Sequence, residues 1–155
     1  MYQRIFVPID ASEASNKALA EAIKLAKPLG ATLILAHSIQ APKFGADSQA
    51  MLNTEEIEKS LNDSAVSVLQ IAAASVREAG LAVEECIEPY TGEPVAATLL
   101  AAAERTRADL IVMGKHGHTG IMHLMVGGVA EGMLRAATLP IMLVHSEVHH
   151  LGHKK

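Results

Sequence analysis

Between Asp109 and Val129 the chain reads DLIVMGKHGHTGIMHLMVGGV, with glycines at 114, 117, 120, 127 and 128. Leu110 to Met113 is an apolar run of strand length, and VAEGMLRAA after the last glycine pair reads as a helix. A strand, a glycine-rich loop and a helix N-terminus form a chassis for an anion. Glycines let backbone N–H groups approach a phosphate, and the first helical turn supplies unpaired donors and partial positive charge. A plain strand-to-helix connection needs 2–6 residues, and this one runs to about a dozen, a length more often functional. The chemistry suggested is binding of a phosphate-bearing ligand; a tight structural connector is the competing reading.

Other reactive residues carry less. Of eight histidines, His116, His118 and His123 fall in the loop. Imidazole suits transition metals, but these three form no i, i+4 pair and have no acidic or thiol ligand beside them in sequence. Partial protonation next to a phosphate is the preferred reading. His37 and His145 close strands and read as hydrogen-bonded structural residues, and His149, His150 and His153 as a solvated tail. The one cysteine, Cys86, excludes an intramolecular disulfide and fits a reducing compartment; within a strand it reads as a packed, inert thiol. No Ser-His-Asp, Cys-His or paired-carboxylate arrangement emerges, so no catalytic residue is assigned.

The elements that must position the loop follow from composition and period. A chain of 155 residues, half of them hydrophobic but only 3% aromatic, suits a single domain over 1–155 with an aliphatic sheet under Ala-rich helices. A formal charge of −4 without a basic stripe argues against nucleic acid. No run of 18 apolar residues and no signal-like start argue against a membrane and for the cytoplasm.

In order, Ile5–Ile9 is a strand closed by Asp10, with Pro8 expected near its end. Ser12 caps a helix that Pro28 and Gly30 end, and Thr32–Ile39 is a second strand. Gln40–Leu52 reads as a loop. Asn53 with Glu56 has the form of a capping box for a long helix to Gly80. Leu81–Glu88 is an alternating, partly solvated strand, and Pro94 opens a helix to about Thr106. After the glycine loop and its helix, Ile141–Ser146 is a last strand, and a tail over 147–155 is expected without order. The alternation implies an α/β fold, one parallel sheet with helices on both faces. Its ligand belongs beyond the carboxyl ends of the strands, where the strand order reverses.

Two nucleotide fingerprints are absent. No Gly-Lys-[Ser/Thr] triplet follows four spacers from a glycine, and the first strand leads into Pro8-Ile9-Asp10 rather than Gly-x-Gly-x-x-Gly. What stands instead is Gly114-x2-Gly117-x9-Gly127, with VPID on the first strand, LAHSI on the second and LPIMLV at the end. This combination resembles the universal stress protein family from Ile5 to about His145. The resemblance implies a Rossmann-like three-layer α/β/α fold with a five-stranded parallel sheet of order 3-2-1-4-5. It also implies ATP, or a related adenine nucleotide, between the first and fourth strands.

Carried over by position, the resemblance puts Pro8, Ile9, Asp10 and Ser38 at the adenosine, with Met113 closing onto the nucleoside. Asp10 would accept from a ribose hydroxyl or help hold Mg²⁺. Gly114, Gly117, Gly127, Gly128 and Val129 would surround the phosphates; apart from the resemblance, Lys115, His116 and His118 stand in the loop as a source of compensating charge. One position departs: where the family's binding form has Ser or Thr after the last motif glycine, this chain has Gly128. The resemblance therefore implies a cytoplasmic, nucleotide-responsive stress regulator. The alternative is a dimeric interaction module of the same fold with a degenerate site. Slow ATP hydrolysis is the most catalysis it permits. It further implies a homodimer through the edge strand Ile141–Ser146, with neither nucleic acid nor membrane as partner.

Overall fold

The structure is a computed structural model, and it describes residues 1–40, 54–115 and 127–145. Five strands form one parallel sheet: β1 (Arg4–Pro8), β2 (Thr32–Ser38), β3 (Val83–Glu88), β4 (Leu110–Gly114) and β5 (Ile141–Val144). Their order is β3-β2-β1-β4-β5, so the direction of winding reverses between β1 and β4, as the resemblance implied. The described helices are α1 (Glu13–Leu29), α2 (Thr54–Glu78), α3 (Val95–Arg105) and α4 (Gly128–Ala136).

Period-2 alternation sorts each central strand between two cores. Ile5, Val7, Leu33, Leu35, Leu110 and Val112 pack with Ala18, Ala22 and Ala26 of α1 and Leu69, Ala73 and Val76 of α2. Phe6, Ile34, Ala36, Ile111 and Met113 pack with Leu99, Ala102 and Ala103 of α3 and Ala130 and Met133 of α4. Burial on both faces explains why these strands read as continuous apolar runs. Small alanines on the helices let them lie close to the sheet.

The amino edge is tied down by Asp109, whose carboxylate accepts from the N–H groups of Gln3 (2.9 Å) and Arg4 (3.1 Å). The organising stretch thus begins with a structural residue at the end of the sheet remote from its glycines.

Element boundaries move by small amounts for identifiable reasons. Pro28 does not end α1. It sits in the last turn, and Gly30, at φ +62°, closes the helix by donating to Ala26 and Lys27. Pro94 takes the cap position, one residue before α3. The last strand is Ile141–Val144 rather than Ile141–Ser146. Its partner β4 runs out at Gly114, paired with Val144, and the final bond is Lys115 N–H to the Val144 carbonyl at 3.1 Å. Asn53 of the expected capping box, Ser146 and the tail 147–155 lie outside the described residues.

Candidate functional site

The site is built at the carboxyl edge, beginning with β1. The Ile9 N–H extends the ladder to the Ala36 carbonyl (2.8 Å), and the Ile9 carbonyl accepts from His37 Nδ1 at 2.7 Å. A carbonyl can only accept, so Nδ1 carries the proton, and His37 is a structural residue pinning β2 to β1. Asp10 follows in a closed turn. Its Oδ1 accepts from Ser12 N–H (2.9 Å), and its own N–H donates to Ser15 Oγ (3.3 Å). Ser12 Oγ in turn caps α1 by accepting from Ser15 N–H at 3.1 Å. Between them Ala11 stands at φ +62°, a left-handed conformation costing an alanine about 1–2 kcal/mol. Such local strain is held only where neighbouring contacts over-determine it, as the Asp10–Ser12–Ser15 bonds do here.

The β4 side faces this turn. Continuing the register beyond Phe6↔Ile111 sets Pro8 level with Met113. Met113 is buried in the α3–α4 core, and Gly114 comes next. A Cβ on Gly114 would lie 2.8 Å from the carbonyl carbon, the oxygen and the Cβ of Ala14 in the first turn of α1. Gly114 is thus required by the close approach of β4 to α1. The two ends of the glycine loop meet, because Gly127 N–H donates to the Lys115 carbonyl at 2.9 Å. Gly127 then serves as the N-cap of α4 without a side-chain cap bond, and Glu131 N–H closes the first turn onto its carbonyl. α1 is capped by its own serine, whereas α4 begins with first-turn donors that no side chain of its cap claims. A Cβ at Gly128 would meet nothing within 4 Å, so packing does not demand glycine there.

The structure therefore brings Pro8, Ile9 and Asp10 to one edge with Met113, Gly114, Lys115, Gly127, Gly128 and Val129. His116 and Gly117 lie outside the described residues, as do His118 and His123. Ser38 ends β2 on the same edge, but it lines a separate cavity of about 220 Å³ shared with the β3–α3 turn. Sequence reading missed Ala11, whose positive φ no residue type signals, and Ser15. The spacing of Ser15, three after the cap, was the available signal.

Charge elsewhere is structural. Arg4 binds Glu84 at 2.7 Å and holds its carboxyl below the ordinary carboxylate range; Arg105 pairs with the buried Glu88. Cys86, half-buried on the same strand, has its thiol pushed up by burial first and by Glu88 second, with Arg105 opposing. That favours the neutral thiol and agrees with an inert cysteine. Among the described residues no group of three or more His, Cys, Asp or Glu could hold a metal, and no helix is long and apolar enough to cross a membrane.

Comparison with known proteins places this geometry in context. The model of the universal stress protein family matches residues 1–145. Universal stress protein MJ0531 of Methanocaldococcus jannaschii is 30% identical over 145 residues, covering 93% of this chain and 82% of that protein. Among solved structures, hypothetical protein MJ0577 superposes with a TM-score of 0.80 at 21% identity, covering 96% of this chain and 99% of that one. The universal stress protein of Archaeoglobus fulgidus in complex with dAMP gives 0.66 at 22% identity, over 92% and 97% of the chains. A family protein of Arabidopsis thaliana with AMP bound gives 0.66 at 13% identity, over 94% and 92%. At these identities the likeness carries the three-layer fold.

Proposed function

Because the chain belongs to the universal stress protein family, we propose that it binds an adenine nucleotide, ATP in the first instance, across the ends of β1 and β4. On this reading it is a nucleotide-responsive regulator of the stress response, and residues 1–155 act as one domain. The observation that carries the reading is the closure of the glycine loop at the switch point. The Gly127–Lys115 bond sets the open N-terminus of α4 beside β4, opposite the Asp10 turn. Phosphate oxygens would accept from the first-turn N–H groups of Gly128 and Val129, with Lys115 adding positive charge. Pro8, Ile9, Met113 and Ser38 would bound the nucleoside. Asp10, oriented by its Ser12 bond, would accept from a ribose hydroxyl or help hold Mg²⁺. Gly114 contributes by letting β4 sit against α1. The dAMP and AMP complexes of the two relatives support this ligand class.

Gly128 favours a second reading, a dimeric interaction module whose site has lost its grip on phosphate. A hydroxyl at this position would add one hydrogen bond to a charged group, about 1.5–3 kcal/mol, or roughly ten- to a hundred-fold in affinity. Open space around Gly128 means that a serine fits, so the difference is chemical rather than steric.

Either reading includes pairing through β5. β5 ends the sheet on one side and presents the apolar IMLV, an edge that needs covering. A thermal-shift titration with Mg·ATP and with AMP tests the leading reading. A saturable rise in Tm is expected, and no shift at millimolar nucleotide would leave the interaction module standing.

A further inference from the structure

A furrow runs between α1 and α2 on the face of the sheet that these two helices cover. Its origin lies in the topology. α1 packs mainly against β4 and β1 and α2 against β2 and β3, so the helices diverge and touch each other little. Ala20 and Ala72 border the gap where longer side chains would bridge it. The cavity left measures about 410 Å³, within the ~300–1,000 Å³ of small-molecule sites. Its floor is core: Ile9 is 3% exposed and Leu19 7%. Ile23 and Val68 on its sides are half-buried, while Ile71, in the second half of α2, is 71% exposed. An isoleucine so exposed gives the fold little burial, and it stands on the rim of this furrow.

The walls are uniform in chemistry. No lining residue carries a charge, and polar side chains enter at two points, Asn16 on α1 and Ser75 on α2. A helical serine can satisfy its hydroxyl on the carbonyl one turn back. Asn16, with two donors and an acceptor in its amide, is the better group for recognising a ligand. We propose that the furrow binds a neutral amphiphile, free in solution, whose single medium-length alkyl chain lies along Leu19, Ile23, Val68 and Ile71 and whose uncharged head meets Asn16. From Asn16 to Ile23 the helix rises ~10 Å, which sets the length of chain that fits. An ionised head would give up water beside walls that offer no counter-charge, so an alcohol is favoured over the carboxylate of the same chain. The same argument excludes a nucleotide from this furrow, and the site stands independently of the nucleotide reading.

The test follows backbone amides by NMR while octanol is titrated into the whole protein. Signals of residues 16–23 and 68–75 are expected to move saturably, with those of Gly127–Val129 unmoved. Across butanol, hexanol and octanol, affinity should rise about four- to fifteen-fold for every two carbons. Octanoate should bind roughly fivefold or more weakly than octanol. Ala20→Leu fills the furrow from an exposed helix position, and Ile71→Ala trims its rim; both should fold as the parent does and weaken octanol at least about fourfold. Asn16→Ala should weaken it roughly two- to ten-fold. No saturable movement at millimolar octanol, movement only outside α1 and α2, or full affinity in Ala20→Leu and Ile71→Ala overturns the site. Octanoate binding as tightly as octanol, or parental affinity in Asn16→Ala, overturns the assignment of the head group.

Discussion

Replacing Gly114 by alanine would set a methyl carbon 2.8 Å from the carbonyl carbon, oxygen and Cβ of Ala14. Carbon pairs rest at about 3.5–4.0 Å, so the overlap exceeds half an ångström on each of the two carbons. Two of the three atoms are backbone in the first turn of α1, which the Ser12 cap holds, and no side-chain rotation removes them. The end of β4 or the whole helix must move. Overpacking of this kind costs about 1–3 kcal/mol, and the reduced backbone freedom of alanine returns about 0.5–1, leaving a net loss of at most about 2.5 and of roughly 1 at the middle of both ranges. In a domain of this size a loss of roughly 1 kcal/mol lowers Tm by roughly 2–4 °C. The assay is thermal and urea unfolding followed by circular dichroism, with Gly128→Ala as the control. A Cβ at Gly128 meets open space, so that variant should match the parent or gain about 0.4–1 kcal/mol. Unfolding of Gly114→Ala within about 1 °C of the parent would refute the packing argument for this glycine.

Three further outcomes follow from the structure. Arg107 closes α3 at φ +58°, so Arg107→Gly should relieve the left-handed strain and raise stability by about 0.5–1 kcal/mol; a lower urea midpoint would contradict this. Glu84, held by Arg4 below its ordinary 4.5, stabilises the fold above that pH and loses its contribution as pH falls through the lowered value. Arg4 is 32% and Glu84 47% exposed, so Glu84→Gln should cost only about 0.2–1 kcal/mol near neutrality. Its unfolding curve should converge with the parent's in acid, and a gap of constant size across that range would refute the assignment. Met142→Lys on the β5 edge should convert a dimer into a monomer by light scattering, and a parent already monomeric at micromolar concentration would remove the proposed interface.

Much of the scaffold was legible in the sequence because strong, local signals agreed. Apolar runs marked β1, β2 and β4, Ser12 marked the cap of α1, and the order of elements forced a parallel sheet. Edges were less legible, since β5 ends where its partner does, which no residue of LPIMLVHS announces. Left-handed residues at Ala11 and Arg107 were invisible because surrounding bonds, not residue type, impose that backbone. Gly114 was singled out for a different reason from the one the packing gives. Spacing suggested close approach of a phosphate, whereas the structure shows close approach of a helix.

On the nucleotide reading proposed above, the backbone at the start of α4 holds the phosphates of an adenine nucleotide, with Gly128 setting how firmly. Calorimetric titration of Mg·ATP into the parent and into Gly128→Ser tests it most directly. Saturable binding in the parent, tightened about ten- to a hundred-fold by the serine hydroxyl, is the predicted result. Heats indistinguishable from dilution in both proteins at millimolar ATP would contradict it.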